Sequence, residues 1–209
     1  MTENAETQEL IQVGYEGELP SQIADLSSLI SDFKFSQECV TAYLNLSKAK
    51  LSEESHQIVA KSLWTSAAIA YRRGFTTGKA QLVPQGSRLK IPDEWLESLK
   101  PEFKEAHEEI LEIANRQVAH HTGKLDHFRV TAFLAPPPHP RAVVGTGVLH
   151  ASFVGPLEDR LRQLATLCQS LIDMLQARLD ELNAVFKDQV AADDLDALYA
   201  AASTGSPGA

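Results

Sequence analysis

The chain has 209 residues, 44% of them apolar, enough to bury one sizeable core without staples. Its two cysteines, Cys39 and Cys168, lie too far apart for a Cys-x-x-Cys metal or redox pair and are expected to be buried free thiols. The net charge is -9, yet residues 34 to 187 carry all 19 basic residues and sum to about +2, so the acidity belongs to the two ends.

Residues 1 to 20 are polar, acidic and closed by Pro20, and are expected to form a flexible arm. Residues 21 to 192 are expected to form the folded body. It opens with Ile23, Leu26, Leu29, Ile30 and Phe33 at helical spacing, continued by Cys39, Val40, Tyr43 and Leu44, as one bent helix or two short ones. Ser52 is placed to cap a further helix running to about Phe75, with Ile58, Val59, Leu63, Ile69 and Tyr71 among its apolar positions. Trp64, Tyr71 and Phe75 on it are expected in the core rather than on a base-stacking platform. Residues 76 to 92, with Pro84, Gly86 and Pro92, read as a basic loop. No acid occurs from Ser55 to Pro92, while Lys61, Arg72, Arg73, Lys79, Arg88 and Lys90 do; this excess is either a phosphate-binding surface or a solvated face beside the acidic helix that follows.

Asp93 or Pro101 starts the next helix, whose stripe of Phe103, Ala106, Ile110, Ile113 and Ala114 faces inward while five glutamates keep its other side wet. It is expected to end near His121, before Gly123. Two strands follow within about residues 127 to 155, joined across Pro136-Pro137-Pro138 as a ribbon. A leucine-rich periodicity from Leu157 to about Val190 predicts the longest helix; residues 193 to 209 form an acidic, flexible tail in which 193 to 201 add a short helix. The predicted fold class is therefore mainly α, a helical bundle with a β-hairpin inserted before a long C-terminal helix.

The segment Ala114-Asn115-Arg116-Gln117-Val118-Ala119-His120-His121 puts a permanent cation and two imidazoles at the end of a helix. Arginine holds phosphate through a fixed fork of donors, and histidine moves protons near neutral pH. Arg116 also has an ordinary reading as an ion-pair partner of Glu112 or Glu109, and the histidines as cations at a helix C-terminus. A metal site built from His107, His120, His121 and His127 lacks a familiar ligand spacing, so no metal or cofactor is expected.

The order of motifs resembles the HEPN superfamily, in particular its bacterial HEPN-like helical-bundle branch. The resemblance rests on Trp64-Thr65-Ser66-Ala67 through Tyr71-Arg72-Arg73 to Phe75, on Gly78-Lys79, on His107, and on Asn115-Arg116-Gln117-Val118-Ala119-His120-His121, and covers roughly residues 30 to 190. It implies metal-independent cleavage of RNA, with the ribose 2′-hydroxyl attacking the adjacent phosphate. Arg116 would then hold phosphate oxygens, His120 or His121 would transfer the proton, and Gln117 would orient the scissile group. Arg72 and Arg73 would line the cleft, and Lys79, Arg88 and Lys90 of the acid-free stretch are the further candidates to bind RNA phosphates. Two registers stay open. With Arg116 and His121 as the pair, four residues intervene; with Asn115 to His120 laid on the family's Asn-x-x-Ile-Ala-His, the arginine position falls on Ala114.

The expected function is an endoribonuclease serving as a toxin or phage-defence effector, homodimeric and cytoplasmic, with no membrane partner. The alternative is a catalytically inactive dimerisation module that engages a partner protein or RNA. The family's toxins that pair with a nucleotidyltransferase antitoxin carry a tyrosine two residues after the histidine. Here Thr122 or Gly123 stands there, which argues against that pairing.

Overall fold

A computed structural model describes residues 11–76, 89, 91–115, 127–151 and 155–204. Gly17 takes φ +131°, a left-handed value that favours glycine, and its carbonyl accepts from Ser21 N at 3.1 Å as the chain enters α1, Glu18–Asn45. The two apolar segments expected there form one continuous helix, ended by a 3₁₀ turn at Leu46–Lys48. The arm is shorter than expected, because α1 starts ahead of Pro20, a residue tolerated in a first turn that needs no amide donor. Tyr15 in the arm meets Phe186 edge-on, ring centroids 5.1 Å apart.

Helix α2, Glu53–Arg73, begins at Ser52, whose side chain accepts from Ser55 N at 3.3 Å. Glu53 and Glu54 lie in its first turn and Arg72 and Arg73 in its last, the order the helix dipole favours. Its buried face includes Trp64 and Tyr71, as expected, but is otherwise made of small residues. Ile58 is exposed, and Ala60, Trp64, Ala67, Ala68, Ala70 and Tyr71 turn inward. Small residues let α1 approach closely enough for the buried Ser36 hydroxyl to donate to Ala67 O at 2.9 Å.

Both proposed starts of the next helical stretch are used. Asp93–Ser98 forms the short α3, and Pro101–Ile113 forms α4 with its proline in the first turn. Helical backbone continues as a wider turn through Ala114–Asn115, and the expected end near His121 lies outside the described residues.

Strands β1, His127–Leu134, and β2, Val143–Ala151, pair antiparallel from His127↔Ala151 to Leu134↔Val143. Val144 is an extra residue between the pairs Phe133↔Gly145 and Leu134↔Val143, a bulge next to the turn. Helix α5, Glu158–Ala191, is 34 residues and therefore about 50 Å long, and α6, Leu195–Thr204, runs past residue 201, where the short helix of the tail was expected to end.

Helix α1 packs along both α2 and α5, and α4 closes against α2 and α5. The shared core is built from Leu26, Leu29 and Phe33 of α1, Trp64 and Tyr71 of α2, Ile110 of α4, and the α5 series Leu161, Leu164, Leu167 and Leu171. The protein is thus mainly α, with a two-stranded hairpin before the long helix α5.

Candidate functional site

The C-terminal ends of α2 and α4 meet. Tyr71 and Phe75, one turn apart, face His107 of α4, and Trp95 of α3 stands beside Phe75 and His107. The Tyr71 hydroxyl stands 2.8 Å from His107 Nδ1. Burial, with the Cys168 sulfur nearby, holds the tyrosine above its usual range, so its O–H stays protonated and donates. Burial also lowers His107 to about 4, so the imidazole is neutral at physiological pH and its own proton sits on Nε2. Trp95 is anchored in turn by its Nε1–H donating to Ser170 Oγ of α5 at 3.0 Å. Phe75 completes the box, its centroid 4.6 Å from His107 and 6.1 Å from Trp95.

This box can lock the end of α2 to the middle of α4, but with His107 held neutral it is not set up to exchange protons near neutral pH. His107, a member of the metal cluster weighed on the sequence, spends its Nδ1 lone pair on Tyr71. Trp64 and Tyr71 are core, as expected, with Phe75 packed partly buried against them.

The box has a polar continuation toward solvent. Arg72 donates from Nε to Asn115 Oδ1, tying the last turn of α2 to the residue directly before Arg116. Arg73, on the neighbouring position, turns away and pairs with Asp32 of α1 at 2.8 Å. The two arginines therefore do not act as one patch: one is directed to the end of α4, the other is held on α1. Glu109, one of the acids considered for Arg116, forms an ion pair with Arg160 of α5 at 2.7 Å. Lys61 is exposed on α2. Arg116, Gln117, His120 and His121 lie outside the described residues, as do Lys79, Arg88 and Lys90.

Sequence reasoning missed two polar devices. Asp25, a buried acid on α1, accepts from Leu89 N at 3.0 Å and so fixes where the chain returns from the basic loop. An aspartate amid the apolar positions of α1 was the available signal. The Tyr71–His107 pair had a weaker one, since the two residues lie on different helices and no local spacing links them.

Among the described residues no group of three or more His, Cys, Asp or Glu side chains is placed to hold a metal ion, and no helix is long and apolar enough to cross a membrane. Cys39 and Cys168 are free and buried, and burial pushes the Cys168 thiol up to about 12. In comparisons with known proteins, no family model, no curated protein and no solved structure matches this chain.

Proposed function

We propose that the protein is a HEPN-like, metal-independent endoribonuclease that works in the cytoplasm as a toxin or phage-defence effector. Support comes from the order of motifs in the chain. One structural observation adds to it: the Arg72 side chain meets Asn115, so a second guanidinium stands at the point where the chain enters Arg116-Gln117-Val118-Ala119-His120-His121. A pair of arginines at one phosphate would give charge-assisted donors to the oxygens on which negative charge develops.

In the reaction, the 2′-oxygen forms a bond to phosphorus as the bond to the 5′-oxygen breaks. This leaves a 2′,3′-cyclic phosphate on one fragment and a 5′-hydroxyl on the other. One imidazole accepts the 2′-hydroxyl proton, and a protonated imidazole supplies one to the departing 5′-oxygen. Such proton transfer is worth about 10² to 10⁴ in rate. His120 and His121 are the candidates for both roles, and pairing of two protomers, as the family resemblance implies, would double the available imidazoles.

The second reading is the inactive binding module, favoured by the engagement of Arg73 with Asp32, which removes that guanidinium from a shared phosphate site. RNA cleavage by purified protein separates the two. Wild type should cut RNA to cyclic-phosphate ends, while Arg116→Ala and the double variant His120→Ala/His121→Ala should lose the activity and keep their helicity and melting temperature. Equal cleavage by all three proteins, or none by wild type, rejects the enzyme in favour of the module.

A further inference from the structure

The β1–β2 ribbon packs mainly on itself, and its contacts with the helices are sparse. Directly paired residues share a face, so Phe128, Val130 and Leu134 of β1 lie together with His150, Val148 and Val143 of β2. The Phe128 and His150 rings stack in parallel with centroids 4.1 Å apart, consistent with that assignment. No charged side chain stands on this face among the paired residues; Arg129 belongs to the other one, with Leu149 and with Phe133, which covers Gly147.

The face is bare. Its five large apolar side chains are 61 to 80% exposed. For side chains of this size that amounts to about 400 to 500 Å² of open apolar surface, as large as the largest patch on an ordinary monomer. A monomer rarely leaves a contiguous patch beyond about 300 to 600 Å², and each partner in a standard interface contributes about 800 Å². A two-stranded ribbon alone is marginal in water, so this one requires cover constantly rather than on occasion.

We infer that two copies of this chain cover each other's ribbons, the apolar faces packing as sheet on sheet about a two-fold axis. A second copy is the one partner always present where the chain is made. Size and charge also favour it. The exposed large apolar side chains of the helices, such as Phe35 on α1, Ile58 on α2 and Tyr199 on α6, are spread over separate elements among the described residues, and the ribbon's opposite face shares its exposed Phe133 and Leu149 with Arg129, so the uncharged ribbon face is its own best match. The chain is acidic overall at -9, yet no acid occurs from residue 127 to 157. The fixed charges of that stretch are Arg129, directed away from the contact, and Arg141, between the two strands, so the acids that repel two copies stay out of a contact made by these faces. This assignment is independent of whether Arg116 acts on RNA.

Sedimentation of the full chain tests it. Wild type should sediment at twice the mass of one chain. Val130→Arg/Val148→Arg, which buries charge in the contact but leaves the helical core untouched, should raise the dimer Kd at least about 100-fold with helicity unchanged. Arg129→Glu, on the opposite face, should remain dimeric. A monomeric wild type overturns the inference, whether it stays single or takes up lipid vesicles or another protein through the ribbon. So does a Val130→Arg/Val148→Arg protein that dimerises as wild type does, or an Arg129→Glu protein that dissociates while the apolar-face variant does not.

Discussion

The Tyr71 hydroxyl donates to His107 Nδ1 across 2.8 Å, joining the end of α2 to the middle of α4 inside an aromatic box. Removing only the hydroxyl leaves a buried acceptor unpaired. Tyr71→Phe should therefore cost about 1 to 3 kcal/mol, and Tyr71→Phe/His107→Phe, which replaces both partners by apolar rings, should recover most of that loss. Chemical denaturation of the three proteins measures the difference.

The same histidine makes stability depend on pH. Its folded value of about 4 lies below the roughly 6.5 of an unfolded histidine, so as pH falls between these limits the unfolded chain binds the proton first. The stabilisation is present in full above about 6.5 and declines toward pH 4, at no more than about 1.4 kcal/mol per pH unit. Melting curves across that window should be flatter for Tyr71→Phe/His107→Phe than for wild type. Parallel profiles would mean that His107 does not titrate as described.

Gly74 closes α2 directly against Phe33, and an added Cβ would overlap the tip of that ring and stand 3.1 and 3.2 Å from its Cε atoms. Phe33 is fully buried and cannot swing away. Gly74→Ala should be destabilising by about 1 to 3 kcal/mol, and Phe33→Leu in the same chain should relieve part of the overlap. Additive losses in the double variant would show that the two positions do not compete for space.

Arg72 and Arg73 should separate in their effects. Arg73→Ala removes an ion pair that is exposed at its arginine and mostly covered at Asp32, and should cost about 1 kcal/mol, a shift of only a few degrees in Tm, with RNA cleavage retained. On the proposed function, Arg72→Ala and Asn115→Ala should each lower cleavage about tenfold or more, and the double variant should fall no further, because both remove one contact. Cleavage that survives both single changes would detach this contact from the reaction.

Metal dependence gives another test. Because Arg116 and the histidines supply both charge and proton transfer in the proposed reaction, prolonged treatment with EDTA should leave the cleavage rate unchanged. Activity lost on chelation and restored by a divalent cation would rule out the metal-independent mechanism.

How far the sequence spoke for the fold depended on where the information lay. The Ser52 cap, the proline start of α4 and the leucine period of α5 are local signals, and each element forms where they place it. The inward face of α2 was harder, because alanines carry little hydrophobic signal and Ile58 drew the stripe toward solvent. At the site, adjacency in the sequence put Arg72 and Arg73 together, but consecutive residues of a helix point different ways, and their partners, Asn115 and Asp32, lie on two other elements. Pairings across 43 and 41 residues leave no trace in a local pattern.

The alanine face of α2 also bears on how this chain can change over time. Ala60, Ala67, Ala68 and Ala70 have no methylene to give up, so nearly every substitution there adds volume to a buried face, on which Ser36 of α1 already touches Ala67. The leucines of α5 can be exchanged for methionine or isoleucine at modest cost. Among diverged copies of this protein, α5 should drift in side-chain shape, while α2 keeps its small residues and, with them, the position at which it presents Arg72.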